Sequence, residues 1–204
     1  MEISSIILAG GKGLRLRRDK LSETINGKLL LQWVISRLSV FGNDIIIVTA
    51  QDQNIPYSAD EPRPRVVTDI YPNKGPLGGI YTGLMMSPTQ HSLVVACDMP
   101  FLDLRLLRYM ILLGKGYDVL IPRTPQGTEP LHAIYSKRCI KPIGELISAS
   151  GTARIVRFFD RVRVRYVEPN EIALFDPHYL SFFNINTPKD LAQAREITAT
   201  QGRE

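Results

Sequence analysis

The chain has 204 residues, 44% of them hydrophobic and 22% charged, with a formal charge of +5 at pH 7. Those proportions exclude wholesale disorder and fibrous classes, and the length supports one sizeable core. Two cysteines, Cys97 and Cys139, are too few for a disulfide scaffold and point to a reducing, cytoplasmic setting, and the longest apolar runs are too short to cross a bilayer.

Ile3 to Leu8 is a β-branched run stopped by Gly10-Gly11, a strand feeding a glycine loop. From Gly10 to Lys20 there is no hydrophobic period, and Asn26-Gly27 marks a tight turn in a segment that reads as loop. Lys28 to Phe41 has helical spacing, with Gly42 ending it. Ile45 to Val48 is the all-apolar pattern of a strand covered on both faces. The alternation then repeats: strand Val66–Thr68, helix Leu77–Met86, strand Ser92–Cys97, helix Leu104–Leu113, strand Tyr117–Ile121. Such alternation predicts an α/β fold, a three-layer sandwich with a mostly parallel sheet. Further on, Leu131–Tyr135 and Val162–Val167 read as strands, and Lys137–Ile147 and Thr152–Phe159 as helices. Thr187-Pro188-Lys189-Asp190 has the form of a capped helix start, with the helix running to about Ile197. No linker or repeat interrupts the chain, so residues 1–197 read as a single domain and 198–204 as a frayed tail.

Charge is concentrated. Residues 12–20 carry five cations (Lys12, Arg15, Arg17, Arg18 and Lys20) and only Asp19 against them. Arg154, Arg157, Arg161, Arg163 and Arg165 form a second cluster around Asp160, leaving the rest of the chain mildly acidic. The alternation of Arg161, Arg163 and Arg165 with apolar residues suggests a half-exposed strand with a solvated arginine face. The first cluster follows a glycine turn, where backbone amides can approach phosphate oxygens. It is neither a Walker motif nor a dinucleotide-binding fingerprint. An anionic small molecule fits this distribution better than nucleic acid, because interleaved aromatic platforms and recognition-helix motifs are absent from the sequence.

Three further segments have the means for chemistry, each with a plainer structural alternative. Cys97-Asp98-Met99-Pro100 ends a buried strand in a carboxylate, where a hard oxygen ligand suits Mg²⁺ and a triphosphate. Equally, Asp98 before Pro100 could cap a helix. Asp69 follows the third strand, and Gly75-Pro76-Leu77-Gly78-Gly79 opens the next helix. A base or ribose could pack on the glycines while Asp69 accepts from it, although Gly75-Pro76 is also an ordinary turn. Phe183-Asn184-Ile185-Asn186 places both amides on one face of an extended segment. The histidines, His91, His132 and His178, lack metal-ligand spacing and read as structural, and the two cysteines read as buried apolar residues.

Taken in order, Leu8-Ala9-Gly10-Gly11 through Asp19-Lys20, Gly27-Lys28-Leu29-Leu30, Asp69, Gly75 to Gly79, Cys97 to Pro100 and Asn184 to Pro188 resemble the molybdenum cofactor guanylyltransferases. Leu16-Arg17 stand where that family usually has Met-Gly, and Ala50-Gln51 where an Asn often follows the strand. The resemblance implies a nucleotidyltransferase that joins GMP from Mg-GTP to molybdopterin and releases pyrophosphate. It places Leu8, Ala9, Gly10, Gly11, Gly13 and Gly78 on the nucleotide and Asp69 on base or ribose. Arg15 and Lys20 would neutralise the triphosphate, Asp98 would hold Mg²⁺, and Asn184 and Asn186 would lie by the pterin phosphate. It also implies transient contact with cofactor-insertion or molybdoenzyme partners and no role for nucleic acid or membrane. The same residues suit a cytidylyl- or guanylyltransferase with another phosphorylated acceptor, or a nucleotide-binding protein without catalysis.

Overall fold

The computed structural model describes residues 2–10, 22–42, 44–51, 53, 55, 64–149 and 154–201. Its centre is β1 (Ser4–Leu8), buried throughout and flanked by parallel strands on both sides: β4 (Ile45–Thr49) on one and β6 (His91–Ala96) on the other. Beyond β4 lies β5 (Arg65–Thr68), which is the sheet edge on that side. Beyond β6, β9 (His132–Ser136) runs antiparallel, followed by β7 (Val119–Thr124) and the edge strand β10 (Val164–Val167). A short β8 (Gly127–Thr128) folds back on β7. The expected mostly parallel sheet is present, with β9 its one reversed long strand among the described residues.

Alternation along the strands divides the core. Ile7, Ile45, Ile47, Leu93 and Val95 face α1 (Leu30–Leu38) and α3 (Leu104–Leu113), whose Val34, Ile35, Leu107 and Met110 meet them. Ile6, Leu8, Ile46, Val48 and Val94 face the other way, onto Leu77, Ile80 and Leu84 of α2 (Pro76–Met86) and Ile143 and Ile147 of α4 (Ile140–Ala149). Period-two strands with apolar residues at every position therefore demand a helical layer on each face.

A third apolar cluster holds the ends of the chain together. Ile25 and Leu30 pack with Phe101, Ile185 and, from α6 (Pro188–Gln201), Leu191 and Ala194. Residues 24–29, read from sequence as loop and helix start, instead form a hairpin of β2 (Thr24–Ile25) and β3 (Lys28–Leu29). Asn26 and Gly27 turn it with φ of 50° and 78°, the left-handed pair that two-residue hairpins require. Helix α1 accordingly starts at Leu30 rather than Lys28. Helix α6 starts as expected, with Asp190 Oδ2 accepting from Asn186 N and Thr187 N and Asp190 N donating to Thr187 Oγ1. It continues to Gln201, four residues past the expected end.

Two other expectations are corrected. Where a helix was expected at 152–159, Ile155–Arg161 winds as a 3-10 turn. Adjacent Phe158 and Phe159 are both buried, edge to face at 5.1 Å, which the tighter winding accommodates better than one face of an α-helix. The arginine face is not a free solvated face either. Arg161 pairs with Glu145, Arg163 with Asp118 and Arg165 with Glu171, and of the three only Arg165 lies on a strand. A short α5 (Pro169–Ile172), without a sequence signal long enough to find it, supplies Glu171.

Candidate active site

The strand order places the reversal of winding between β1 and β6, because β4 and β5 are added on one side of β1 and β6 on the other. Ligands in open α/β sheets bind beyond the carboxyl ends of strands at such a point. Leu8 and Asp98 follow from these two neighbouring strands, joined where Cys97 N donates to Leu8 O at 3.1 Å.

On the β4–β5 side of β1 is a cavity of about 380 Å³ lined by Leu8, Gly10, Thr49, Ala50, Asp69, Asn73 and Gly79, among others. Its walls are mainly apolar, as a planar base would require, with Asp69 as the acidic group. Asp69 is fixed rather than loose. Its N–H reaches Thr49 O at 2.8 Å, and its Oδ1 accepts from Tyr71 N at 3.0 Å and from Thr82 Oγ1 at 2.9 Å. Thr82 Oγ1 in turn accepts from Ile70 N at 2.9 Å, so one buried hydroxyl sets both the loop and the carboxylate. The two glycines of this helix start have different duties. A Cβ at Gly79 would lie 3.1 Å from Leu8 Cδ2 at the cavity wall, whereas one at Gly78 would lie 2.6 Å from Tyr71 O and 2.9 Å from Asp69 Oδ2. Gly78, expected at the nucleotide, thus lies directly against the backbone and side chain that position Asp69. Ala9 sits beneath, buried, with its N–H on Val48 O at 2.9 Å.

On the β6 side, Asp98 is only 7% exposed and lies two residues past the end of β6 at Ala96. The alternative that it caps the next helix is overturned: the cap of α3 is Asp103, whose carboxylate accepts from Arg105 N and Leu106 N at 2.8 and 3.0 Å. Burial pushes the Asp103 carboxyl up, but the hydrogen bonds from Arg105 and Leu106 outweigh it and hold it below the usual range. Ile185 N donates to Asp98 O at 3.0 Å, which draws the Asn184–Asn186 segment alongside Asp98. Ile185 is fully buried among Ile25, Leu30 and Phe101, so the flanking asparagines, both half-buried, are held by their neighbour's packing. Asn184 Nδ2 donates to Phe182 O at 3.1 Å.

Gly11, Gly13, Arg15 and Lys20, together with Leu16 and Arg17, lie outside the described residues. Both flanks of their segment are anchored: Gly10 at the cavity, and Glu23 through its carbonyl, which accepts from Leu30 N at 3.1 Å.

Two more buried or half-buried titratable groups lie near this end of the sheet: His132, read from the sequence as structural, and Glu129, which the sequence did not single out. His132 opens β9 opposite Val95, fully buried against Phe182 at 4.7 Å between ring centres. Burial pushes its pKa down to about 4, with the Ser181 backbone as the main opposing influence. Half-buried Glu129, between β8 and β9, has its carboxyl pushed up by burial, with Thr124 hydrogen bonding as the opposing influence. A lone His or Glu in a strand-and-turn segment carries no sequence signal of this kind. Cys97 and Cys139 are buried and unbridged as expected, and burial pushes the Cys139 thiol up to about 12. Among the described residues, no helix is long and apolar enough to cross a membrane.

Residues 5–165 match the model of the MobA-like NTP transferase domain. The chain belongs to that family. It is 36% identical over 96% of its length to a probable molybdenum cofactor guanylyltransferase of Pelotomaculum thermopropionicum, covering 93% of that protein. It is 30% identical to the molybdenum cofactor guanylyltransferase of Desulfosudis oleivorans, covering 98% of both. Among solved structures, molybdopterin-guanine dinucleotide biosynthesis protein A of Archaeoglobus fulgidus superposes with a TM-score of 0.80 at 27% identity, over 97% of this chain and all of that one. The 2-C-methyl-D-erythritol 4-phosphate cytidylyltransferase of Thermus thermophilus superposes at 0.72 with 13% identity, covering 98% of this chain and all of that one, a likeness of fold alone. As a member of the MobA-like family, this chain is a nucleotidyltransferase, and the cavity and Asp98 lie at the carboxyl ends of the central strands, where open α/β sheets form their ligand crevice.

Proposed function

We propose that the enzyme transfers GMP from Mg-GTP to the terminal phosphate of molybdopterin. A phosphate oxygen of the pterin attacks the α-phosphorus of GTP, the bond from that phosphorus to the β-phosphate bridging oxygen breaks, and pyrophosphate leaves with the electron pair. The observation that carries this reading is the pairing of two half-sites across the β1–β6 junction: an apolar cavity with a fixed Asp69 on one side, and Asp98 tied to Asn184-Ile185-Asn186 on the other. Relatives that match nearly the whole chain carry the name molybdenum cofactor guanylyltransferase, which supports this reading.

The residues fit Mg²⁺. That ion is ordinarily held by one or two carboxylates together with substrate phosphates and water, and Asp98, nearly buried at a strand end, supplies one such carboxylate. When bound there, Mg²⁺ would neutralise phosphate charge. Arg15 and Lys20 would balance the charge of the triphosphate and the departing pyrophosphate, while Leu8 to Gly11 and Gly13 offer backbone to the nucleotide. Asp69 would accept from the base or ribose, and Asn184 and Asn186 would orient the pterin phosphate. Two anions must meet for this reaction, so positioning and charge neutralisation supply most of the rate. The product would pass in the cytoplasm to cofactor-insertion or molybdoenzyme partners.

The test is pyrophosphate release from GTP, CTP and ATP, each with Mg²⁺ and molybdopterin. GTP alone should support turnover, and equal or better use of CTP would overturn the guanine assignment. Lys20→Ala should lower kcat by orders of magnitude with the thermal transition unchanged, and near-normal turnover would remove Lys20 from the mechanism.

A further inference from the structure

At the end of the sheet opposite the crevice lies a concavity of about 520 Å³, lined by Tyr117, Asp118, Lys137, Arg138 and Arg163, with His91 at its wall. It opens where β6, β7 and β10 begin and β9 ends. Asp118 is its anchor, 7% exposed, accepting from Arg163 N at 3.0 Å, Arg163 Nε at 3.4 Å and Ser136 Oγ at 3.4 Å, with Arg138 Nη1 at 3.6 Å from its Oδ1.

Pinning β7, β9 and β10 together would need only one cation for one carboxylate. Two guanidiniums converge on Asp118, and Lys137 adds an ammonium with no carboxylate partner among the described residues. The lining therefore carries a net +2 with Asp118 ionised, and both arginines remain mostly exposed, at 67% and 59% of their side chains. Each spends part of its fork of donors on Asp118 and keeps the rest for solvent, in an orientation set by a buried group. The helical run through Lys137–Cys139 into α4 begins at the same place, and its positive end adds to the field.

We propose that this concavity binds a small phosphoanion, the guanidiniums of Arg138 and Arg163 and the ammonium of Lys137 closing on its oxygens. Its concave shape and clustered cations suit a compact ligand, and planar forks oriented by a buried carboxylate match phosphate oxygens. The site is separate from the nucleotide crevice and does not depend on which base or acceptor is used there.

The experiment titrates the full chain, with its crevice saturated by GTP and Mg²⁺, with inorganic phosphate, pyrophosphate and AMP in parallel, each against sodium chloride of equal ionic strength. The expected result is a rise in Tm of about 3 °C or more at tenfold Kd for at least one probe. Backbone amide exchange should slow at 114–118 and 136–138, and the most effective probe identifies the source of the phosphate. In Lys137→Gln/Arg138→Gln the shift and the protection should be lost while the GTP-dependent shift is retained. If that pair fails to fold, Lys137→Glu alone, which leaves every bond to Asp118 in place, should weaken binding at least tenfold. A shift matched by sodium chloride, a response unaltered in these variants, or no response to any probe overturns the proposal.

Discussion

The backbone N–H of Ile185 donates to the carbonyl oxygen of Asp98 at 3.0 Å, across 87 positions of sequence. Through that bond the strand end bearing the carboxylate and the segment bearing both asparagines become one unit, and the fully buried Ile185 side chain is its rivet.

Ile185→Ala should therefore act twice. Emptying its place between Phe101 and Leu191 should cost about 2–4 kcal/mol, read by denaturant unfolding. Loosening the asparagines should raise KM for molybdopterin by about tenfold or more while GTP binding changes little, since small displacements of positioning groups are costly. An equal loss for both substrates would show that the segment serves the fold and not the acceptor.

Thr82 governs the other half-site. Thr82→Val keeps the shape but removes the hydroxyl between Ile70 N and Asp69 Oδ1, at a cost of about 0.5–1.5 kcal/mol for each lost bond. Nucleotide affinity, measured by calorimetry, should fall with stability, and the acceptor KM should not.

The paired glycines separate packing from positioning. Gly79→Ala presses on the flexible end of Leu8 and should be mild, under about 1 kcal/mol. Gly78→Ala drives a methyl into the Tyr71 carbonyl and the Asp69 carboxylate and should cost about 1–3 kcal/mol together with most of the GTP affinity. Thermal shift with and without GTP distinguishes them, and similar behaviour of the two would refute the assignment.

His132 sets an acid limit. Its folded pKa of about 4 lies below the 6.5 of a free imidazole, so between these values the unfolded chain binds a proton that the folded chain refuses. Its contribution is intact above pH 6.5 and is lost as pH falls toward 4, by about 3 kcal/mol in all. Unfolding measured from pH 7 to 4 should show this slope, and His132→Phe should flatten it.

Sequence order and chemistry already located Asp69, Asp98 and the Asn184–Asn186 pair, because a carboxylate closing an apolar strand and amides at alternate positions are local patterns. The helix at Leu104–Leu113 was legible for the same reason. The fates of the arginines were not. Arg163 and Arg165 alternate like a solvated face, yet their partners Asp118 and Glu171 stand elsewhere in the chain, and only the adjacency of β7 and β10 and the placing of α5 bring them together.

The sequence by itself determined the layers, since strands apolar at every position must be covered twice, and it determined that a strong local +4 follows the first strand. Tertiary structure decided which of the described arginines meet a carboxylate. Residues 12–20 carry their excess within a few positions of chain, whereas Arg161, Arg163 and Arg165 of the cluster at 154–165 meet carboxylates that approach only when β7, α4 and α5 pack around them. Electrostatic neutralisation depends on distance in space, and a basic count read along the chain cannot contain it.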